Sequence, residues 1–227
     1  SITDVSPTPG QQPSFNVQLS GAYTLDISGT LTLTFTPDSG LPDDPMIVFP
    51  NGKRTLDFTV KAGSTVSSGS LQVGTVAGRI DLTITNLLAG GQSILPSPAP
   101  VRSVVVARSV PVITSVQVVR TGSGFDVQVR GFSTPRQMSQ AVFRFTASAQ
   151  GNLQTTQVSV PVDSAFTTWY GSTTSGQFGS TFLYTQPFTV QGDVSAIASV
   201  SVTLSNSVGT SQAASARSKY APARPRS

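Results

Sequence analysis

Strict alternation of apolar and hydroxyl residues is the feature that most limits what this 227-residue chain can fold into. Leu31, Leu33 and Phe35 alternate with Thr32, Thr34 and Thr36. Ile80, Leu82 and Ile84 alternate with Asp81, Thr83 and Thr85, and Val200, Val202 and Leu204 with Ser201, Thr203 and Ser205. A period of two places one apolar and one polar face on the segment, which is the pattern of a half-buried antiparallel strand. Val and Thr suit it because a branched Cβ restricts χ1 and packs on a pleated surface. No twelve-residue stretch keeps the i, i+3, i+4, i+7 spacing of a helix between caps. The chain is therefore expected to be all-β.

The alternating segments recur in order. Ile2-Thr3-Asp4-Val5 matches Ile113-Thr114-Ser115-Val116, and Phe15–Gly21 matches Phe125–Gly131. Phe35-Thr36 matches Phe145-Thr146, and Ile80–Asn86 matches Val200–Asn206. Four matches in one order indicate an internal duplication. Two domains of one fold are expected, over residues 1–109 and 110–216, followed by a Pro/Ala/Arg-rich tail, 217–227, read as disordered. Each half holds about seven strands. In the first they are read near 14–20, 31–36, 46–50, 55–60, 70–74, 79–86 and 101–107. In the second they fall near 112–119, 124–130, 140–148, 155–162, 182–190, 197–205 and 210–215. Seven short strands in about 110 residues read as an antiparallel β-sandwich.

Particular residues carry a family likeness. Leu204–Ser211 (Leu-Ser-Asn-Ser-Val-Gly-Thr-Ser) resembles the last hairpin of bacterial immunoglobulin-like domains, where a strand ending in Asn turns through Gly into the final strand. Pro111–Val116, followed by Gly124-Phe125 and Gly131-Phe132, resembles the opening of the Ig-like modules repeated in bacterial surface and adhesin-type proteins. The chain lacks the Cys pair and core Trp of antibody-type domains. The resemblance implies two tandem Ig-like sandwiches and a secreted, cell-surface or periplasmic location, with other domains of a longer parent chain as neighbours. It implies no ligand.

The missing residue types narrow the chemistry. There is no Cys and no His, and all ten acidic residues are Asp. Ser-His-Asp and Cys-His nucleophilic sites, Cys/His zinc sites and thiol redox motifs are excluded. No phosphate-binding glycine loop is present, and Gly122-Ser123-Gly124 reads as a hairpin turn. The remaining Asp residues are scattered, apart from Asp43-Asp44 in a Pro-flanked turn, so a paired-carboxylate hydrolase is disfavoured. The expectation is a non-enzymatic spacer or adhesion module, with accessory domains of a larger exported hydrolase as an alternative. The start at Ser1, without Met or an apolar leader, reads as a mature product or excised fragment. No segment has the run of about 18 apolar residues that spans a bilayer.

Net charge is +4. Residues 1–109 carry six Lys/Arg against seven Asp, and residues 110–216 four against three. The excess thus lies at Arg217, Lys219, Arg224 and Arg226, on the tail rather than on a folded face. Nucleic acid is not an expected partner.

Two loops differ between the halves, and function on a common scaffold sits in such grafts. The first half gains Pro37–Pro45. Its Asp38, Asp43 and Asp44 are candidate oxygen ligands for calcium, although no Asp-x-Asp-x-Asp spacing or Glu accompanies them. The other reading is a turn in which Asp bonds its own backbone and Pro fixes φ. The second half gains a longer insert holding Trp169 and Tyr170, with Phe178 and Tyr184 nearby. These aromatics read either as a platform for a glycan or protein partner, or as a plug in the open end of the sandwich.

Overall fold

The computed structural model of the protein describes residues 1–149 and 151–218. The chain is all-β with antiparallel sheets, as the alternation requires. It divides into two compact units, Ser1–Ala107 with Gly176–Gly179, and Arg108–Ser175 with Ser180–Ser227. Among the described residues, no helix is long and apolar enough to cross a membrane.

In the first unit, β1 (Ser14–Gln18) pairs with β4 (Val66–Ser70). The facing sheet has β2 (Ile27–Pro37) between β3 (Thr55–Val60) and β5 (Gly78–Ala89). β5 also takes β6 (Gln92–Ser93) and β7 (Val101–Val106). Phe15 and Val17 of β1 share one buried cluster with Leu31, Leu33, Ile80 and Leu82 of β2 and β5. The alternating threonines face outward, where Thr32 Oγ1 and Thr85 Oγ1 lie 2.9 Å apart. Each apolar side chain so removed from water contributes about 1.5–3 kcal/mol.

The strand expected at 46–50 is reduced to one isolated bridge, Val48 to Gln72. Pro45 and Pro50 bracket the segment, and each lacks a ladder N–H. The chain then turns at Asn51-Gly52, where Gly52 has φ 74° and donates its N–H to Phe49 O. Ile47 and Phe49 are nevertheless fully buried.

In the second unit, β8 (Val112–Arg120), β9 (Gly124–Phe132) and β12 (Thr181–Thr189) form one sheet with β9 central. β10 (Gln140–Ala147), β11 (Gln157–Pro161), β13 (Ile197–Ser205) and β14 (Ala214–Arg217) form the other, in the order β11-β10-β13-β14. Phe125 of β9 and Phe188 of β12 meet Phe143 and Phe145 of β10 across the core at ring separations of 5.0–6.0 Å. Arg217, read from sequence as tail, ends β14. Residues 219–227, the rest of that tail, lie outside the described residues.

The repeated segments keep their register. Phe35, Leu33 and Leu31 lie opposite Ile80, Leu82 and Ile84. Phe145, Phe143 and Ala141 lie opposite Val200, Val202 and Leu204 in the same sequence. The opening match is one of sequence only. Ile2 bridges Val17, whereas Val127, the counterpart of Val17, pairs with Val118 rather than Ile113.

A helix, α1 (Asp163–Gly171), follows β11 where the sequence suggested a loop. Val162, Phe166, Trp169 and Tyr170 stand at i, i+4, i+7 and i+8, so the helical stripe exists but is shorter than the window that would register it. Asp163 in the first turn favours the positive end of the helix dipole.

Candidate functional site

The aromatic insert is turned inward. Phe166 of α1 is 3% exposed and packs on Phe182 and Tyr184 of β12 at 5.0 and 5.6 Å, and on Tyr170 at 5.8 Å. Trp169 and Tyr170 are half-buried against the same core. Trp169 Nε1 donates to Thr181 O at 3.1 Å and Tyr170 Oη to Ser180 O at 2.7 Å. Both polar tips are thus spent on the start of β12. Phe178 is 49% exposed. Because β11 and β12 are the edges of their sheets, α1 covers that edge of the sandwich.

A buried arginine holds α1 in place. Arg136, at a left-handed φ of 51°, is 8% exposed. Its guanidinium donates to Tyr170 O at 2.7 Å and Ser175 Oγ at 2.8 Å, and lies 4.8 Å from the Tyr170 ring centre. The Tyr170 carbonyl is one of the orphan acceptors at the helix C-terminus, where a cation is favoured. α1 has no basic residue in its own last turn, so Arg136 supplies one from the β9–β10 connection. Burial pushes the Tyr170 hydroxyl well above the usual phenol range, with the Arg136 charge pulling the other way.

The Asp loop is also internally satisfied. Asp44 is fully buried. Its Oδ1 accepts the Met46 N–H at 2.9 Å, and its Oδ2 accepts those of Thr75 and Val76 at 2.7 and 3.0 Å. Asp43 Oδ1 accepts from Arg54 at 2.7 Å and from the Asp44 N–H. Asp38 closes a backbone turn to Leu41. Among the described residues, no group of three or more His, Cys, Asp or Glu side chains is placed to hold a metal ion.

The first unit has an open edge where the second has a covered one. β3 and β4 are joined by the short connection 61–65, with no helix over them. A groove of about 720 Å³ lies there, lined by Leu56, Asp57 and Phe58 of β3, Ser67–Ser70 of β4, and Ser14, Pro50 and Asn51. None of these residues stood out in the sequence. The available signal was negative: Val66-Ser67-Ser68-Gly69-Ser70 lacks the apolar alternation of the other strands, and the first half lacks the insert that shields this edge in the second.

No protein-family model matches the chain, and no curated protein matches it. Among solved structures, it is similar to the class 5 fimbriae chaperone CfaA at 10% identity and a TM-score of 0.26, covering 87% of this chain and 86% of that one. It is similar to a DUF3823 family protein from Bacteroides ovatus at 10% identity and a TM-score of 0.26, covering 89% and 97%. It is similar to Salmonella alpha-2-macroglobulin at 10% identity and a TM-score of 0.29, covering 97% of this chain and 17% of that one. The chain's own strand pairing defines its fold.

Proposed function

We propose that this chain is a non-enzymatic structural module of an exported bacterial protein, two Ig-like sandwiches serving as spacer or adhesion scaffold within a longer parent chain. The observation that carries this reading is the internal use of its most reactive groups. The polar tips of Trp169 and Tyr170 bond backbone carbonyls, and the Asp44 carboxylate bonds three backbone N–H groups. A composition without Cys, His or Glu supports export and a scaffold role. The competing readings place a glycan on the aromatic insert or calcium on the Asp loop.

Two titrations separate these. Trp169 is the only tryptophan, so its fluorescence reports on the insert alone. The scaffold reading expects no saturable change with a panel of glycans. It also expects the same melting temperature in calcium and in chelator, since a ligand bound only by the native state must raise it. Saturable quenching abolished by Phe178→Ala, or a calcium-dependent melting temperature, would overturn it.

A further inference from the structure

We propose that the groove between β3 and β4 takes an extended peptide from another protein, added as a strand to the free edge of β4, with a basic side chain beside Asp57. Asn16 lies opposite Ser68. Its N–H donates to Thr3 Oγ1 at 2.8 Å and its carbonyl accepts the Thr3 N–H at 2.9 Å, so both groups turn away from β4. In an antiparallel pair, opposite residues turn their backbone groups either toward each other or both outward. The N–H and C=O of Ser68 therefore face the free edge, and those of Ser70 follow by the two-residue alternation.

The chain itself begins to use this edge and then leaves it. Two residues further on, Gln72 donates its N–H to Val48 O at 2.8 Å. Past Val48 the chain turns away through Pro50, Asn51 and Gly52. Ser70 and Ser68 are the next two rungs of a ladder that is started and not continued, and the groove lies alongside them. Main-chain rungs of this kind give a bound strand its affinity, and side pockets give its specificity. Half-buried Leu56 and Phe58 form the apolar wall for alternate side chains of the added strand. Asp57 is the one charged residue among those lining the groove; its Oδ1 accepts from Thr30 Oγ1 at 2.8 Å, and the charge that remains favours a basic residue on the ligand. A stacked sugar fits less well. The Phe58 ring is committed inward over Gly29, where an added Cβ would come within 2.4 Å of it.

The inference goes beyond the scaffold reading and can fail independently of it. The test uses the full chain and a fluorescein-labelled peptide of alternating valine and threonine ending in lysine, followed by anisotropy. Saturable binding is expected, weakened at least about tenfold in Ser68→Pro, which removes one outward N–H. The melting temperature of that variant should stay close to that of the parent, because the lost N–H is not in the β1 ladder. Asp57→Asn should weaken binding several-fold and flatten its salt dependence. The same peptide with alternate amides N-methylated should not bind, and this arm stands even where Ser68→Pro fails to fold. Absence of saturable binding, equal binding of the methylated peptide, or displacement of the peptide by neutral glycans would overturn the proposal.

Discussion

Gly69 and Phe188 hold the same place in their respective sheets. Gly69 lies opposite Phe15 on β1, and Phe188 lies opposite Phe125 on β9, the residue that matches Phe15 in the repeat. The second unit fills that place with a ring packed edge-on against Phe143 and Phe145. The first unit leaves it to the ring of Phe15, whose Cζ would lie 2.7 Å from a Cβ added at Gly69.

Substitutions at this pair should both destabilise, for opposite reasons. Phe188→Ala leaves a cavity and should cost about 3 kcal/mol, the low end for an aromatic truncation, because the ring is only half-buried. Gly69→Ala drives a methyl into a buried ring and should cost about 1–3 kcal/mol by overpacking. Denaturant melts of both variants check this. A neutral Gly69→Ala would mean that Phe15 is free to move.

The Asp44 carboxylate should behave as a structural staple. Asp44→Ala strands two buried N–H donors, those of Thr75 and Val76, and the part-buried one of Met46, and should destabilise the first unit by about 3 kcal/mol. Asp44→Asn keeps one acceptor oxygen and should recover part of that loss. Thermal melts in calcium and in chelator should coincide for the parent chain.

Phe166 anchors the helix over the second edge. Phe166→Ala should cost about 3–5 kcal/mol and speed amide exchange through α1 and the start of β12. Arg136→Lys should not restore what Arg136→Ala loses. An ammonium cannot bridge the Tyr170 carbonyl and Ser175 hydroxyl while lying flat against the Tyr170 ring.

An alkaline limit follows from the same cluster. Burial raises the Tyr170 hydroxyl above its ordinary value, and raises Tyr184 likewise. The unfolded chain ionises first, so the contribution is intact below about pH 10 and is lost as pH rises above it. The melting temperature should fall more steeply above that pH in the parent than in Tyr170→Phe. Equal slopes would show that Tyr170 does not carry the effect.

The strands were legible because their cause is local. Leu31, Leu33 and Ile80 alternate with threonines or Asp81 whatever the tertiary fold, and the repeat even carried the β2–β5 register over to β10–β13. The segment 46–50 reads as a strand, yet its apolar content reflects burial of Ile47 and Phe49, while Pro45 and Pro50 deny it a ladder. α1 is not legible in the sequence because its apolar stripe spans only two turns. The roles of Trp169 and Tyr170 depended on which carbonyls lay within reach of their polar tips, and residue type does not encode that. The open edge was the least legible feature. It consists of backbone groups of Ser68 and Ser70 whose direction is set by the pairing of Asn16 with Thr3, far away in sequence.

Hydrogen exchange along β4 tests the open edge most directly. The amides of Ser67 and Gly69, turned toward β1, should exchange at least about a hundredfold more slowly than those of Ser68 and Ser70, which face the groove. Uniform protection along Ser67–Ser70, or protection of Ser68 and Ser70 in the free chain, would contradict the account by showing that the edge is already covered.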